Sequence, residues 1–136
     1  MKNGLLIFSG RGTTKPFQIY GHPNMKGYSF SFTPRSISGA KNPPQLNKLC
    51  YGVDLSGLSD EEVIAKGINL EYLIDAYRNL NLDDHFFRPF FELLIGRGDI
   101  RKMIKEGKSA EEIKATWQSD VEKFKAQRRP YLLYAE

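Results

Sequence analysis

The sequence predicts an α+β fold, a small domain with a few strands in its N-terminal half and a helical C-terminal half, and three observations carry that reading. Residues 28–33, "YSFSFT", alternate Tyr28, Phe30 and Phe32 with Ser29, Ser31 and Thr33, the period-two pattern of a half-buried strand. Beyond Gly57 the apolar spacing changes, and Leu70, Leu73, Ile74 and Tyr77 fall at i, i+3, i+4 and i+7 on one helical face. Two capping boxes, Ser59 with Glu62 and Ser109 with Glu112, mark helix starts in the same half.

Taken in order, residues 13–20 are expected to form a short helix, with Thr13 or Thr14 as N-cap and Pro16 in the first turn. "GHPNMKG" breaks it, the strand around Phe30 follows, and Pro34 limits that strand. "SGAKNPPQLN" reads as a loop. "KLCYGVDL", residues 48–55, reads as a second strand in which Gly52 marks a bulge or a close backbone approach. The helix after Ser59 stops at Gly67. Phe86, Phe87, Phe90, Phe91 and Leu94 suggest another apolar face, broken at Gly96. Asp99 is placed to cap "IRKMIKEG", which ends at Gly107. Ile113, Trp117, Val121 and Phe124 share one face of a long last helix, which Pro130 stops. The "YLLY" that follows is an apolar tail that must dock or pair.

The 136 residues fit one domain, and nine Phe, seven Tyr and one Trp argue against disorder. No apolar run approaches the roughly 20 residues of a membrane span. "MKNGLLIFSG" has only "LLIF" where an export signal needs an apolar stretch of about 7–15 residues. A single cysteine, Cys50, permits no internal disulfide and no cysteine-based zinc cluster. His22 and His85 lie far apart without ligands at metal spacing, so neither a metal nor a cofactor is expected. "GRGTTK" lacks the GxxxxGK[ST] spacing of a nucleotide loop. Glu61–Glu62 and Asp83–Asp84 are adjacent pairs at caps or turns, and neighbours on a helix do not face each other. No nucleophile has a base, and no pair of groups can work as acid and base, so no catalytic residue is assigned. The phenylalanine and tryptophan stripes read as core. "KFKAQRR" reads as a solvated helix end carrying favourable charge, and no nucleic-acid partner is expected.

Charge is unevenly spread. The net charge is +4, yet residues 1–53 hold seven Lys or Arg and no Asp or Glu. Inside that cationic third lies "SGRGTTKPFQIYGHP", residues 9–23, where Gly10 and Gly12 flank Arg11 and are followed by Thr13, Thr14 and Lys15. Glycines, hydroxyls and cations together suggest an anion cradle, with His22 beside it. Ordinary loop solubility is the competing explanation.

"GRGTTKPFQIYGHP", "FSFTPRSISGAKNP", "CYGVDL" and the ending "IRKMIKEGKSAEEIKATWQSDVEKFKAQRRPYLLY" together resemble the C-terminal part of the DUF1343 family. That family includes the NamZ-type exo-β-N-acetylmuramidases of peptidoglycan recycling. The resemblance runs from about Gly10 to Tyr134. It implies a small C-terminal domain that, in the family, accompanies a Rossmann-like N-terminal domain bearing the catalytic glutamates, with the active site in the cleft between them. On this reading residues 1–9 are a non-matching segment and residues 10–136 an accessory domain, inactive alone, without the catalytic domain. "MKNGLLIF" stands where the family's "F-E-G-T" is expected, which suggests a truncated product, a fragment or half of a split protein.

The resemblance also implies the ligand. N-acetylmuramic acid carries a lactyl carboxylate, and Arg11, Gly12, Thr13, Thr14 and His22 are the expected substrate-binding residues. The alternative for the block is an interdomain hinge with capped turns. The implied partners are muramic-acid-containing cell-wall fragments or an N-terminal catalytic domain, with self-association through an uncovered apolar patch. Relatives are commonly exported, although this chain shows no signal of its own. A remnant or interaction module without a carbohydrate role is the alternative for the whole chain.

Overall fold

The computed structural model describes residues 9–134. The expected non-matching segment lies, for residues 1–8, outside the described residues. Three short strands, β1 (Ile19–His22), β2 (Phe30–Phe32) and β3 (Cys50–Asp54), form one antiparallel sheet in the order β1-β3-β2. Helices α1 (Asp60–Lys66), α2 (Glu71–Leu80), α3 (Phe91–Ile95), α4 (Asp99–Lys105) and α5 (Ala110–Arg128) follow, with 3-10 turns at Asp83–Phe86 and Arg129–Tyr131. The α+β class is therefore as the sequence indicates.

The sheet closes on glycines. Gly52 of β3 pairs with Gly21 of β1 on one side and with Phe30 of β2 on the other. A Cβ at Gly52 would run into the backbone oxygen of Tyr20 and the Cα of Gly21, so the strands come this close because neither residue has a side chain. Of the bulge or close approach expected at Gly52, the close approach is present and the pairing runs through it without a bulge. β2 is shorter than its alternating pattern: only Phe30–Phe32 pair, and Pro34 lies just beyond, unable to donate to a ladder.

The expected helix over 13–20 does not form. Those residues make a series of turns and then enter β1 at Ile19. Within that range Phe17 takes a φ of +64°, which a right-handed helix excludes, and Thr13 turns its hydroxyl back onto the Gly10 carbonyl at 2.6 Å. Local hydrogen bonding by Thr13 thus ties a tight loop instead of capping a helix.

Helix starts follow the capping chemistry where a full box exists. Ser59 and Glu62 bond reciprocally at α1, as do Ser109 and Glu112 at α5. Asp99 does not cap α4. It is the first helical residue, with Gly98 before it, and its carboxylate is held by Arg97.

The core gathers under the sheet and between helices. Tyr20, Met25, Ile74, Phe86, Phe91, Ile100, Ile104 and Ile113 belong to one buried cluster. Tyr77, Phe86, Phe87 and Phe91 form a chain of rings with centroids 4.8–5.4 Å apart. Two ties join the sheet side to α2. Tyr20 and Tyr28 both donate to one Asp75 oxygen, at 3.0 and 2.6 Å, and Asn79 exchanges two hydrogen bonds with the Lys26 backbone.

The helix stripes are only partly covered. On α5, Ile113 is buried and Trp117 packs against the core, but Val121 and Phe124 are exposed. Phe90 and Leu94 are likewise exposed, while Phe86, Phe87 and Phe91 are buried. A 19-residue helix is longer than the core it lies on, so its far half presents an exposed stripe, where the Arg128 guanidinium lies over the Phe124 ring. The apolar tail at Tyr131–Tyr134 is exposed as well.

Candidate functional site

The loop of residues 9–18 is built by its own backbone. Thr13 donates to Gly10, the Lys15 amide donates to the Thr13 hydroxyl at 3.1 Å, and the Phe17 amide donates to the Ser9 carbonyl at 3.0 Å. Lys15, expected in the anion cradle, reaches across to the end of β3 instead. Its Nζ lies 2.6 Å from Asp54 Oδ2 and donates to Ser56 Oγ at 2.8 Å. Hydrogen bonds from Lys15 and Ser56 hold the Asp54 carboxyl down at about 2, from an ordinary 3.8. Lys15 is a strut.

A second loop, residues 35–44, leans against the first. The Arg35 amide donates to the Gly12 carbonyl at 2.8 Å, and a Cβ on Gly12 would stand 2.6 Å from the Pro43 ring. Ile37 and Ala40 exchange backbone hydrogen bonds at 3.2 and 2.9 Å to make a narrow turn. Between the loops is a hollow of about 320 Å³, lined by Arg11, Ser38, Gly39, Ala40, Lys41, Asn42 and Pro44. None of these lining residues is acidic, and two are cations. An open, polar, positively charged hollow can take an anionic group, with the planar guanidinium of Arg11 suited to a carboxylate.

Of the five residues expected from sequence, Arg11 alone lines this hollow. Gly12 is buried beneath it and shapes the wall. The Thr13 hydroxyl is engaged within the loop. Thr14 is exposed on the same loop. His22 sits at the other end of β1, opposite Tyr51, where its Nδ1 accepts the Asn24 amide at 3.1 Å. Burial, and then Lys48, push the His22 pKa below its usual value, so the ring is neutral near pH 7 with its proton on Nε2.

Ser38, Lys41 and Asn42 were legible only as loop. The available signal was a cation and an amide beside Gly39, within a third of the chain that has no acids. Cys50 is buried, and burial raises its thiol to about 11, which keeps it protonated and unreactive. Among the described residues no group of three or more His, Cys, Asp or Glu could hold a metal ion. Among the same residues, no helix is long and apolar enough to cross a membrane.

Known proteins match this chain along nearly all its length. The family described as "Exo-beta-N-acetylmuramidase NamZ, C-terminal" matches residues 3–134. The peptidoglycan beta-N-acetylmuramidase NamZ of Bacillus subtilis (strain 168) is 31% identical over 146 aligned positions, covering 96% of this chain and 34% of the relative. A crystal structure of a DUF1343 family protein from Bacteroides fragilis NCTC 9343 superposes with a TM-score of 0.96 at 71% identity, covering 98% of this chain and 38% of that one. The chain thus spans about a third of the length of the relatives it matches. With the α+β fold and the two-loop hollow in place, this chain belongs to the family of NamZ C-terminal domains.

Proposed function

We propose that this domain supplies part of the substrate cleft of a peptidoglycan exo-β-N-acetylmuramidase, holding the lactyl carboxylate of N-acetylmuramic acid in the hollow between its two N-terminal loops. The observation that carries this reading is the pairing of Arg11 with Lys41 around a hollow whose lining has no acidic residue. Arg11 takes the carboxylate in two-point fashion, Lys41 adds a second cation, and Asn42 and Ser38 offer hydrogen bonds to the sugar. Gly12 and Thr13 act indirectly, by setting the loop. Thr14 is exposed on the same loop and does not line the hollow. His22, at the far end of β1, stands away from the hollow and takes no part in this reading.

Catalysis belongs, on this reading, to a separate N-terminal domain of the family. Asp60 and Glu62 line the groove beside α1, but the Glu62 carboxylate is tied to the Ser59 amide as part of a capping box, and on this reading the chain alone is inactive. Hydrolysis of a chromogenic N-acetylmuramide by the pure chain would refute this.

Calorimetric titration with N-acetylmuramic acid and N-acetylglucosamine tests the ligand. Selective binding of the lactyl sugar is expected, with Arg11→Ala weakening it about tenfold to a hundredfold, since charge-assisted bonds contribute roughly 1.5–3 kcal/mol. Equal heats for both sugars would remove the lactyl-carboxylate role, and no heat for either would remove an independent carbohydrate role for this domain. The loops would then be a hinge, a role already suggested by the hydroxyl of Thr13 and the ammonium of Lys15, both engaged inside the domain.

A further inference from the structure

Phe17 occupies a costly position. It is 86% exposed, and its φ of +64° puts a bulky residue in the left-handed region. The turn around it is well tied, with its own amide on the Ser9 carbonyl and the Gln18 amide on the Lys15 carbonyl. The Lys15–Asp54 strut anchors the same turn to β3. The fold therefore holds an aromatic ring out in water on an unfavourable backbone, which gains this domain nothing by itself.

The ring overhangs a groove of about 400 Å³ between the end of β3 and α1, with Leu55, Leu58, Val63 and Tyr72 among its apolar lining. Leu58 and Val63 are exposed, and so is every residue of α1. Asp60 and Gln18 also line the groove, and four of its other polar residues are engaged nearby, Lys66 with Glu71 among them. Glu62 takes the Ser59 amide, Asn69 exchanges hydrogen bonds with Glu71, and Ser56 accepts from Lys15. The groove suits an apolar side chain from another folded body.

The relatives indicate which body. This chain matches a C-terminal family and covers 34% and 38% of two longer relatives, so most of their length precedes the matching part. Whatever precedes it joins the domain through Ser9, and Ser9 is hydrogen-bonded to Phe17. A preceding domain is thereby tethered to the rim of this groove by a short segment, which keeps it at high effective concentration.

We propose that the groove under Phe17 is the docking face for the domain that precedes this one in its longer relatives, with Phe17 as the aromatic anchor. The proposal rests on the reading above that this domain works beside a preceding catalytic domain, and it adds the face and the residue that join them.

Hydroxyl-radical footprinting tests it on two proteins: this chain alone, and this chain grafted in place of the matching 38% of the Bacteroides fragilis protein. In the chain alone Phe17 is expected to be oxidised freely at all concentrations. In the graft its oxidation, and that of Leu58 and Val63, should slow about tenfold, as for side chains moved from water into an interface core. Equal rates in the two proteins would overturn the proposal. So would protection in the chain alone that grows with concentration, which would make a second copy the occupant. A variant of the chain alone, Phe17→Asn, gives an independent check, because Asn tolerates the left-handed region. Its thermal midpoint should be unchanged or higher. A lower midpoint would mean the ring serves this domain's own stability and would overturn the anchor role. The footprint needs no sugar and the Arg11→Ala titration needs no graft, so either reading can fail alone.

Discussion

At the residue scale, the N-terminal half depends on positions where a side chain has no room. Gly52→Ala would push a methyl into the Tyr20 carbonyl and the facing Gly21, in the middle of a three-stranded sheet. Urea unfolding should show a loss of about 3 kcal/mol or more, in the range of overpacked cores and disrupted backbone. A change under about 1 kcal/mol would mean the strands can separate without penalty. Asp54 gives a pH signature. Its folded pKa is depressed from 3.8 to about 2, so its contribution is complete above the unfolded value and is lost as pH falls through the folded one. The stability gap between the native chain and Asp54→Asn should therefore be constant above about pH 5 and close between pH 4 and 2. A gap independent of pH would show that the Lys15–Asp54 strut does not hold the loop. Cation identity was readable at this scale, but the role of each cation was not. Lys15 and Arg11 look alike in "GRGTTK", and only the arrival of Asp54 from thirty-nine positions away makes one a strut.

At the scale of elements, the helices separate into those held by the core and those held by their ends. α1 has a complete capping box but every residue exposed, whereas α5 has the same box and buries Ile113 in the main cluster. Ser109→Ala should lower global stability by about 1 kcal/mol, the usual worth of an N-cap. Ser59→Ala should instead raise amide exchange locally in α1 with little effect on the global transition, because little else of α1 is tied to the core. Both variants behaving alike by exchange and by denaturant would contradict this division. Capping boxes, glycine stops and the α2 stripe were legible because each depends on residues three or four positions apart. The helix expected at 13–20 failed for the opposite reason. Its Thr and Pro signals were sound, but the chain turns left-handed at Phe17, and Ile19 and Tyr20 are drawn into pairing with β3.

At the scale of the whole molecule, apolar surface is left over. Phe124, Leu133 and Tyr134 on the C-terminal side, and Phe17 and Ile64 on the other, are all more than half exposed. The double variant Phe124→Ser, Leu133→Ser should change stability by less than about 0.5 kcal/mol, since both side chains stand largely in water. It should also reduce association measured by sedimentation at high concentration. A chain that stays monomeric before and after substitution would show that these residues are too scattered to form a sticky patch. Periodicity placed Phe124 on the same stripe as Ile113, and it does lie there. What periodicity could not supply was the extent of the core beneath the stripe.

By itself the sequence determined the α+β class, the two capping boxes, the close approach at Gly52, the cationic first third and the family likeness. These depend on local spacing, on backbone freedom or on runs of residues in order, all of which are present in the unfolded chain. Tertiary structure alone decided that Lys15 is a strut and Arg11 lines a hollow, that Lys41 and Asn42 join it, and that His22 stands apart. It also decided where the core stops along α5. Those outcomes depend on which distant segments meet, and contact between residues thirty or more positions apart is set by the packing of the whole domain.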